Sequence, residues 1–148
     1  MYIIQGGQTL SGKIKVQGSK NSSLPILAAT IINGKKNVIC DVPRIRDIDV
    51  MCQILSHLGA GITRHDNVIE VDSERVNSFE VPEQLMREMR SSIILMGALL
   101  GRYGKAKVSY PGGCEIGPRP IDLHLKGLSS MGVVFSEGHG FLYGKLMV

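Results

Sequence analysis

Apolar positions along the chain alternate between helical and strand-like spacing. Residues 21–33 form an apolar run that predicts a buried helix, and apolar residues recur at every third or fourth position over 47–58. Residues 37–40 lie between these two helices and are typical of a short strand. Residues 62–71 predict a β-hairpin around the turn Asp66-Asn67. The first half of the chain therefore predicts one helix–strand–helix–hairpin unit.

The same order of elements recurs in the second half of the chain. A helix is predicted over 82–100, a strand over 107–110, a second helix over 120–131 and a hairpin over 133–143. Self-similarity of this kind is the signature of a repeat architecture. We therefore predict an internal duplication.

Individual residues of the two units also align. Gly34-Lys35 falls on Gly104-Lys105 at an offset of 70 residues, and Gly59 falls on Gly132 at an offset of 73. The change of offset places about three additional residues between 108 and 121, where the chain is rich in glycine. The insertion coincides with the segment that carries the strongest candidate chemistry.

Residues 1–19 precede both units, which occupy about 20–80 and 81–148. Alternating segments at 2–4 and 13–17 predict two short strands. The fold class is α/β (α+β), with repeated helix–strand–helix–hairpin units. Two such units leave sheet edges and helix faces uncovered, so we expect the chain to associate with the remainder of a longer chain or with a second copy.

Composition narrows the classes of protein to consider. The chain is 43% hydrophobic and 20% charged, which fits a folded domain and excludes a disordered tail. Its net charge of +4 comes without the dense basic stripe of most nucleic-acid-binding proteins. No apolar run reaches the ~18 residues of a membrane span. We expect a cytoplasmic protein with no nucleic-acid or membrane partner.

The cysteines predict neither a disulfide scaffold nor a metal site. There are three, without the spacing of metal ligands. Cys40 falls in a predicted strand and Cys52 on the apolar face of a predicted helix, so we predict both as core residues. No cofactor and no metal ion are implied.

The segment Gly18-Ser19-Lys20-Asn21 leads into the first predicted helix. Amides at a helix N-terminus together with a lysine favour a phosphate or a carboxylate. The alternative is an ordinary helix cap with a solvated lysine. At the offset of 70 residues Lys20 falls on Arg90, so a cation recurs at the equivalent position of both units. Two cations at equivalent positions suggest that both units bind one anionic ligand.

The glycine-rich loop at 111–118 carries Cys114. Its glycines let the backbone approach a ligand closely. Arg119 follows at the entry of the next predicted helix, and a nearby cation and a helix N-terminus both increase thiol reactivity, whereas Glu115 opposes them. A free cysteine that fills a small gap is the alternative.

The helix after this loop begins with Ile121, Asp122, Leu123 and His124. An aspartate near a helix start is favoured by the helix dipole and can accept a hydrogen bond from a sugar hydroxyl or a base. His124 is either a ligand contact or a half-buried helix residue.

Three segments together resemble the UDP-N-acetylglucosamine 1-carboxyvinyltransferases, a family of enolpyruvyl transferases. The similarity extends over all 148 residues and corresponds to the N-terminal part of the longer family chains. It implies an inside-out α/β barrel with three units in each domain, of which this chain carries two, while residues 1–19 join the other domain. The segments are Gly18-Ser19-Lys20-Asn21-Ser22-Ser23-Leu24-Pro25, Met89-Arg90-Ser91-Ser92 and Pro111-Gly112-Gly113-Cys114-Glu115-Ile116-Gly117-Pro118-Arg119-Pro120-Ile121-Asp122-Leu123-His124.

The resemblance implies transfer of the enolpyruvyl group of phosphoenolpyruvate to the 3-hydroxyl of UDP-N-acetylglucosamine, with release of phosphate. This is the first committed step of peptidoglycan synthesis. Lys20 and Asn21 match contacts to phosphoenolpyruvate, and Arg119 lies near its phosphate. Cys114 matches the proton donor and the target of fosfomycin. The matches to UDP-sugar contacts are Arg90, Arg119, Pro120, Ile121, Asp122, Leu123 and His124.

Two departures and three rival functions accompany this resemblance. Glu115 replaces a small residue common in the family, and the family's aspartate base and a further phosphate-binding arginine have no counterpart, so we expect little or no turnover by this chain alone. The rivals are the sister transferase acting on shikimate 3-phosphate, which lacks such a loop cysteine, a non-catalytic UDP-sugar or phosphate-binding module, and an RNA-binding protein of related architecture.

Overall fold

The computed structural model describes residues 2–7, 9–89, 93–109 and 121–147. Within them, two successive copies of the predicted unit follow one another, and the second copy is preceded by an additional short helix. The elements are α1 (Lys20–Ala29), β1 (Lys36–Ile39), α2 (Arg46–His57), β2 (Gly61–His65), β3 (Val68–Asp72), α3 (Glu83–Glu88), α4 (Ile94–Tyr103), β4 (Lys105–Ser109), α5 (Asp122–Ser130), β5 (Val133–Gly138) and β6 (Phe141–Leu146).

Each unit contains a three-stranded antiparallel sheet with the same topology. The strand order is β1-β3-β2 in the first sheet and β4-β6-β5 in the second. In both, the last strand of the hairpin is central, with the hairpin partner on one side and the first strand of the unit on the other. The predicted duplication and both predicted hairpins are therefore confirmed.

One apolar core joins the two units. Helix α1 packs against α2 of its own unit and against α4 of the next. Leu27, Ile54 and Leu99, one from each of these helices, are completely buried. Burial of each such side chain stabilises the fold by roughly 1.5–3 kcal/mol, so the helices hold the units together from the inside.

Arg102, in the last turn of α4, ties the second unit to the backbone of the first. Its Nη1 donates hydrogen bonds to the carbonyl oxygens of Ile31 at 2.6 Å and Ser73 at 2.8 Å. The hydroxyl of Tyr103 donates to the carbonyl oxygen of Val76 at 2.6 Å. These bonds hold the turn after α1 and the segment after β3 against α4.

Helix α1 is shorter and less buried than the apolar run over 21–33 predicts. It ends at Ala29, and the chain continues through a turn to Gly34, whose φ is +63°. Leu24 and Leu27 face the core, but Ile26 on another side of the helix is 48% exposed. The prediction of a buried helix holds for one face of α1 only, because within the described residues the other faces are not covered.

The helix predicted over 82–100 is in fact two. α3 ends at Glu88, and Met89 has extended backbone angles (φ −130°, ψ 108°) with its side chain 1% exposed. α4 begins at Ile94. α3 packs on α2 and β4, whereas α4 packs on α1 as well as on β4 and β6. The extended backbone at Met89 ends α3, and the Met89 side chain belongs to the apolar core.

The strands predicted at 2–4 and 13–17 are wrong for this chain by itself. Residues 2–7 and 9–18 form no helix or strand. The side chains of Ile3 and Ile14 are 86% and 92% exposed. A strand needs a partner for its backbone N–H and C=O groups, and no described residue pairs with these segments in a sheet.

Candidate functional site

Lys20 is the first residue of α1, one residue before the predicted start, with Ser19 at the N-cap position. The Ser19 carbonyl oxygen accepts hydrogen bonds from the backbone N–H of Ser23 at 3.0 Å and from its hydroxyl at 2.9 Å. The Ser19 side chain makes no capping hydrogen bond to a described residue. First-turn N–H groups without a side-chain acceptor favour an anionic ligand.

The Lys20 ammonium is paired with a carboxylate from the neighbouring helix. Its Nζ lies 2.9 Å from Oδ2 of Asp47, in the first turn of α2, and the two side chains are 48% and 34% exposed. The pair brings the N-termini of α1 and α2 side by side. Sequence reasoning missed Asp47, because the two residues lie far apart along the chain and their contact exists only through the packing of α1 on α2.

Gly18 fixes where the chain enters α1. A Cβ at this position would overlap the carbonyl oxygen of Asp41 and would lie 3.5 Å from Cδ of Pro43. The glycine is therefore required by close backbone approach. This close approach places the start of the candidate site against the segment that follows β1.

An open crevice of about 430 Å³ lies beside this entry, lined by residues 15–18, 41–44, 66 and 67. Several of its polar groups pair with one another. Arg44 Nη2 lies 2.6 Å from Oδ1 of Asp66, and Asn67 Nδ2 donates to Oδ1 of Asp41 at 2.9 Å. This pairing leaves neither Arg44 nor Asp66 as an uncompensated charge in the crevice.

Asn21 and the residues that begin α5 are solvent-facing. The exposed side chains are those of Asn21, Asp122, Leu123 and His124, and the exposed fraction of Leu123 is 77%. Ile121, at the N-cap position of α5, is partly buried. The half-buried alternative for His124 is wrong. Helix α5, which is described in full, has no buried side chain. These side chains are thus accessible to a ligand.

The remaining predicted site residues fall outside the described residues. They are Arg90, Cys114, Arg119 and Pro120. Asp49, the equivalent of Asp122 in the first unit, lies in the first turn of α2 and pairs with Arg64, whose Nη1 lies 2.7 Å from its Oδ1. This carboxylate has a structural partner in addition to its place at the helix start.

The two described cysteines differ from each other. Cys40 follows the edge strand β1 and is exposed, so its prediction as a core residue is wrong. Cys52 is partly buried, and this burial raises the pKa of its thiol, while the Arg64 guanidinium partly opposes the rise. Among the described residues, no group of three or more His, Cys, Asp or Glu side chains could hold a metal ion, and no helix could span a membrane.

Comparison with known proteins connects these features to a family. The family model described as EPSP synthase (3-phosphoshikimate 1-carboxyvinyltransferase) matches residues 4–148. The chain belongs to this family. The crystal structure of the enolpyruvyl transferase NikO from Streptomyces tendae superposes with a TM-score of 0.79 at 24% identity, covering 96% of this chain and 31% of that one. This likeness confirms the enolpyruvyl transferase fold.

Curated relatives share the family and are more similar in sequence. A UDP-N-acetylglucosamine 1-carboxyvinyltransferase 2 of Caldanaerobacter subterraneus subsp. tengcongensis is 52% identical over 141 residues, covering 95% of this chain and 34% of the relative. A UDP-N-acetylglucosamine 1-carboxyvinyltransferase of Geotalea uraniireducens is 46% identical over 143 residues, covering 97% and 34%. The chain spans about a third of the length of these relatives. The resemblance inferred from the motifs is confirmed.

Proposed function

We propose that this chain carries substrate-binding and catalytic residues of an enolpyruvyl transferase that acts on UDP-N-acetylglucosamine. The reaction transfers the enolpyruvyl group of phosphoenolpyruvate to the 3-hydroxyl of the sugar and releases phosphate. The observation that carries the proposal is the identity of 43–52% to relatives bearing that name over about 95% of this chain. These names favour the UDP-sugar over the shikimate 3-phosphate of the sister transferase.

The start of α1 is suited to the donor substrate. Phosphoenolpyruvate carries a phosphate and a carboxylate, and a lysine beside free first-turn amides attracts such anions. Lys20 and Asn21 are exposed at this position. In the proposed enzyme Lys20 neutralises charge on phosphoenolpyruvate, and Asn21 donates a hydrogen bond to it.

Cys114 supplies the proton in this proposal. Protonation of the terminal enol carbon makes the adjacent carbon electron-poor, and the sugar 3-hydroxyl bonds to that carbon while its own proton passes to a base. Loss of phosphate, together with one proton from the new methyl group, then restores the double bond of the enolpyruvyl product. A positioned acid together with cations near the phosphate lowers this barrier. Arg119, five residues after the cysteine, is the cation assigned beside the phosphate.

The acceptor substrate is assigned to Arg90 and to the start of α5. The exposed Asp122 carboxylate can accept hydrogen bonds from hydroxyl or N–H groups of the UDP-sugar. The other residues proposed to bind the UDP-sugar are Arg90, Arg119, Pro120, Ile121, Leu123 and His124. A role in peptidoglycan synthesis and a cytoplasmic location follow from this substrate.

Covalent labelling tests the proposal. The chain is incubated with fosfomycin, with and without UDP-N-acetylglucosamine, and its intact mass is measured. We expect one adduct that increases with the sugar nucleotide, disappears in Cys114→Ser and persists in Cys40→Ser, because Cys40 is an exposed thiol outside the proposed site.

Other labelling patterns contradict the assignment. An adduct on Cys40 in place of Cys114 removes Cys114 from its role as the reactive thiol. The same conclusion follows if no adduct forms with the sugar nucleotide either in this chain or in a longer chain of the relatives' full length. Binding of the UDP-sugar that survives Cys114→Ser, with no adduct in the unmodified chain, favours the non-catalytic binding module instead.

A further inference from the structure

The placement of Lys20 is locally unfavourable. A cation in the first turn of a helix lies at the positive end of the helix dipole. Helix α1 has no acidic residue of its own in that turn to offset the charge. The compensating carboxylate, Asp47, belongs to α2, where an acidic residue in the first turn is favourable.

The ion pair with Asp47 uses only one of the hydrogen-bond donors of the Lys20 ammonium. A lysine ammonium has three donors, and the contact to Asp47 Oδ2 at 2.9 Å uses one of them. The Lys20 side chain is 48% exposed, so its other donors are accessible from solvent. Without a partner, a lysine side chain with four rotatable bonds samples many rotamers and loses that freedom when it binds a ligand.

We infer that Asp47 is a positioning residue for Lys20. It holds the ammonium at the start of α1, so that the remaining donors meet a phosphate or a carboxylate without a further loss of rotamer freedom. The inference rests on the proposed function, because phosphoenolpyruvate is the anion in question. It adds a residue that contacts no substrate and acts through Lys20.

A carboxylate near an anion site also repels the ligand. Asp47 is one-third exposed, and solvent and salt screen repulsion between exposed charges. We expect the ordering of Lys20 to be the larger effect, so that removal of Asp47 weakens anion binding.

Asp47→Ala and Asp49→Ala form a matched pair for the test. Both remove an acidic residue from the first turn of α2, and both break one ion pair, to Lys20 in the first case and to Arg64 in the second. Two quantities are measured in the 148-residue chain. One is the NMR signal of the Lys20 ammonium, assigned with Lys20→Arg, and the other is the affinity for phosphoenolpyruvate in the presence of UDP-N-acetylglucosamine.

We expect Asp47→Ala to abolish the slowly exchanging ammonium signal of Lys20 and to weaken phosphoenolpyruvate binding about three- to tenfold, the range for one immobilised long side chain. Asp49→Ala leaves both quantities within about twofold, because it does not touch Lys20. Asp47→Glu restores most of the ammonium signal and of the affinity. A merely structural role for Asp47 would not move the Lys20 signal.

Each contrary result has a distinct meaning. An unchanged Lys20 signal in Asp47→Ala, or an affinity that is unchanged or tighter, overturns the positioning role. If the wild-type chain shows the Lys20 signal, but neither it nor a longer chain of the relatives' full length binds phosphoenolpyruvate, the proposed function is overturned, and the inference with it.

Discussion

Replacing Arg102 with alanine is expected to weaken the attachment of the second unit to the first. Nη1 of Arg102 donates to the carbonyl oxygens of Ile31 and Ser73 at 2.6 and 2.8 Å. Nη2 lies 3.5 and 3.4 Å from the carbonyl oxygens of Glu74 and Val76. Alanine removes all four interactions at once and leaves the Ser73 carbonyl oxygen only its 3.3 Å hydrogen bond from the backbone N–H of Val76.

The two short hydrogen bonds determine how much the free energy of unfolding decreases in Arg102→Ala. Hydrogen bonds to a charged group contribute about 1.5–3 kcal/mol each, and the two longer contacts contribute little at their length. Because Arg102 is only partly buried, water replaces some of what is lost, and the lower value applies. We therefore expect Arg102→Ala to lower the free energy of unfolding by about 3 kcal/mol.

Urea denaturation followed by far-ultraviolet circular dichroism measures this loss, since the chain contains no tryptophan. If the free energy of unfolding decreases by about 2 kcal/mol per molar urea and this slope is unchanged by the substitution, the urea concentration at the unfolding midpoint falls by roughly 1.5 M. Arg87→Ala is the matched control, because Arg87 also lies in a helix but pairs only with the exposed Glu83 four residues before it among the described residues. The control should lose at most about 0.5 kcal/mol.

Two results would refute the reasoning. A loss below about 1 kcal/mol in Arg102→Ala would mean that the carbonyls find other donors at no cost. An equal loss in Arg87→Ala would mean that any helical arginine has this effect and that the contact between the units is irrelevant.

Two further predictions concern glycines and thiols. Gly18→Ala should cost about 1–3 kcal/mol in thermal or urea unfolding, because its Cβ would overlap the Asp41 carbonyl oxygen. Gly97→Ala, in α4 with no described atom within 4 Å of its Cβ, should instead gain about 0.5–1 kcal/mol. At pH 8, Cys40 should be alkylated faster than Cys52, because burial raises the pKa of the Cys52 thiol and leaves less thiolate at a given pH. Equal rates by peptide mass spectrometry would contradict this.

The elements that the sequence predicted well are those with local causes. Helix α2 and the β2–β3 hairpin follow from apolar spacing and a turn, and both ends agree within a few residues. Gly59 and Gly132 end their helices with φ of +106° and +91°, a conformation that glycine adopts readily. The same local signals, repeated in the second half, also revealed the duplication.

The apolar pattern gave wrong predictions where two different structures share the same pattern. The run over 82–100 is apolar whether it forms one helix or two, and only the packing of α3 and α4 on different neighbours separates them. The alternation over 13–17 is strand-like, but a strand needs a partner that the described residues do not provide. The sequence predicts Cys40 as a buried strand residue. In the structure it is exposed, because the strand that it follows, β1, lies at the edge of the sheet.

By itself, the sequence determined the repeated unit, the position of its turns, and the motif at Lys20 that points to an anionic ligand. Periodicity, turns and caps depend on residues a few positions apart, so they are visible in the chain. Only the tertiary structure decided that Asp47 pairs with Lys20 and that Arg102 reaches Ile31. These partners are distant in sequence, and they meet because the packing of α1 against α2 and α4 in one apolar core brings their backbones together.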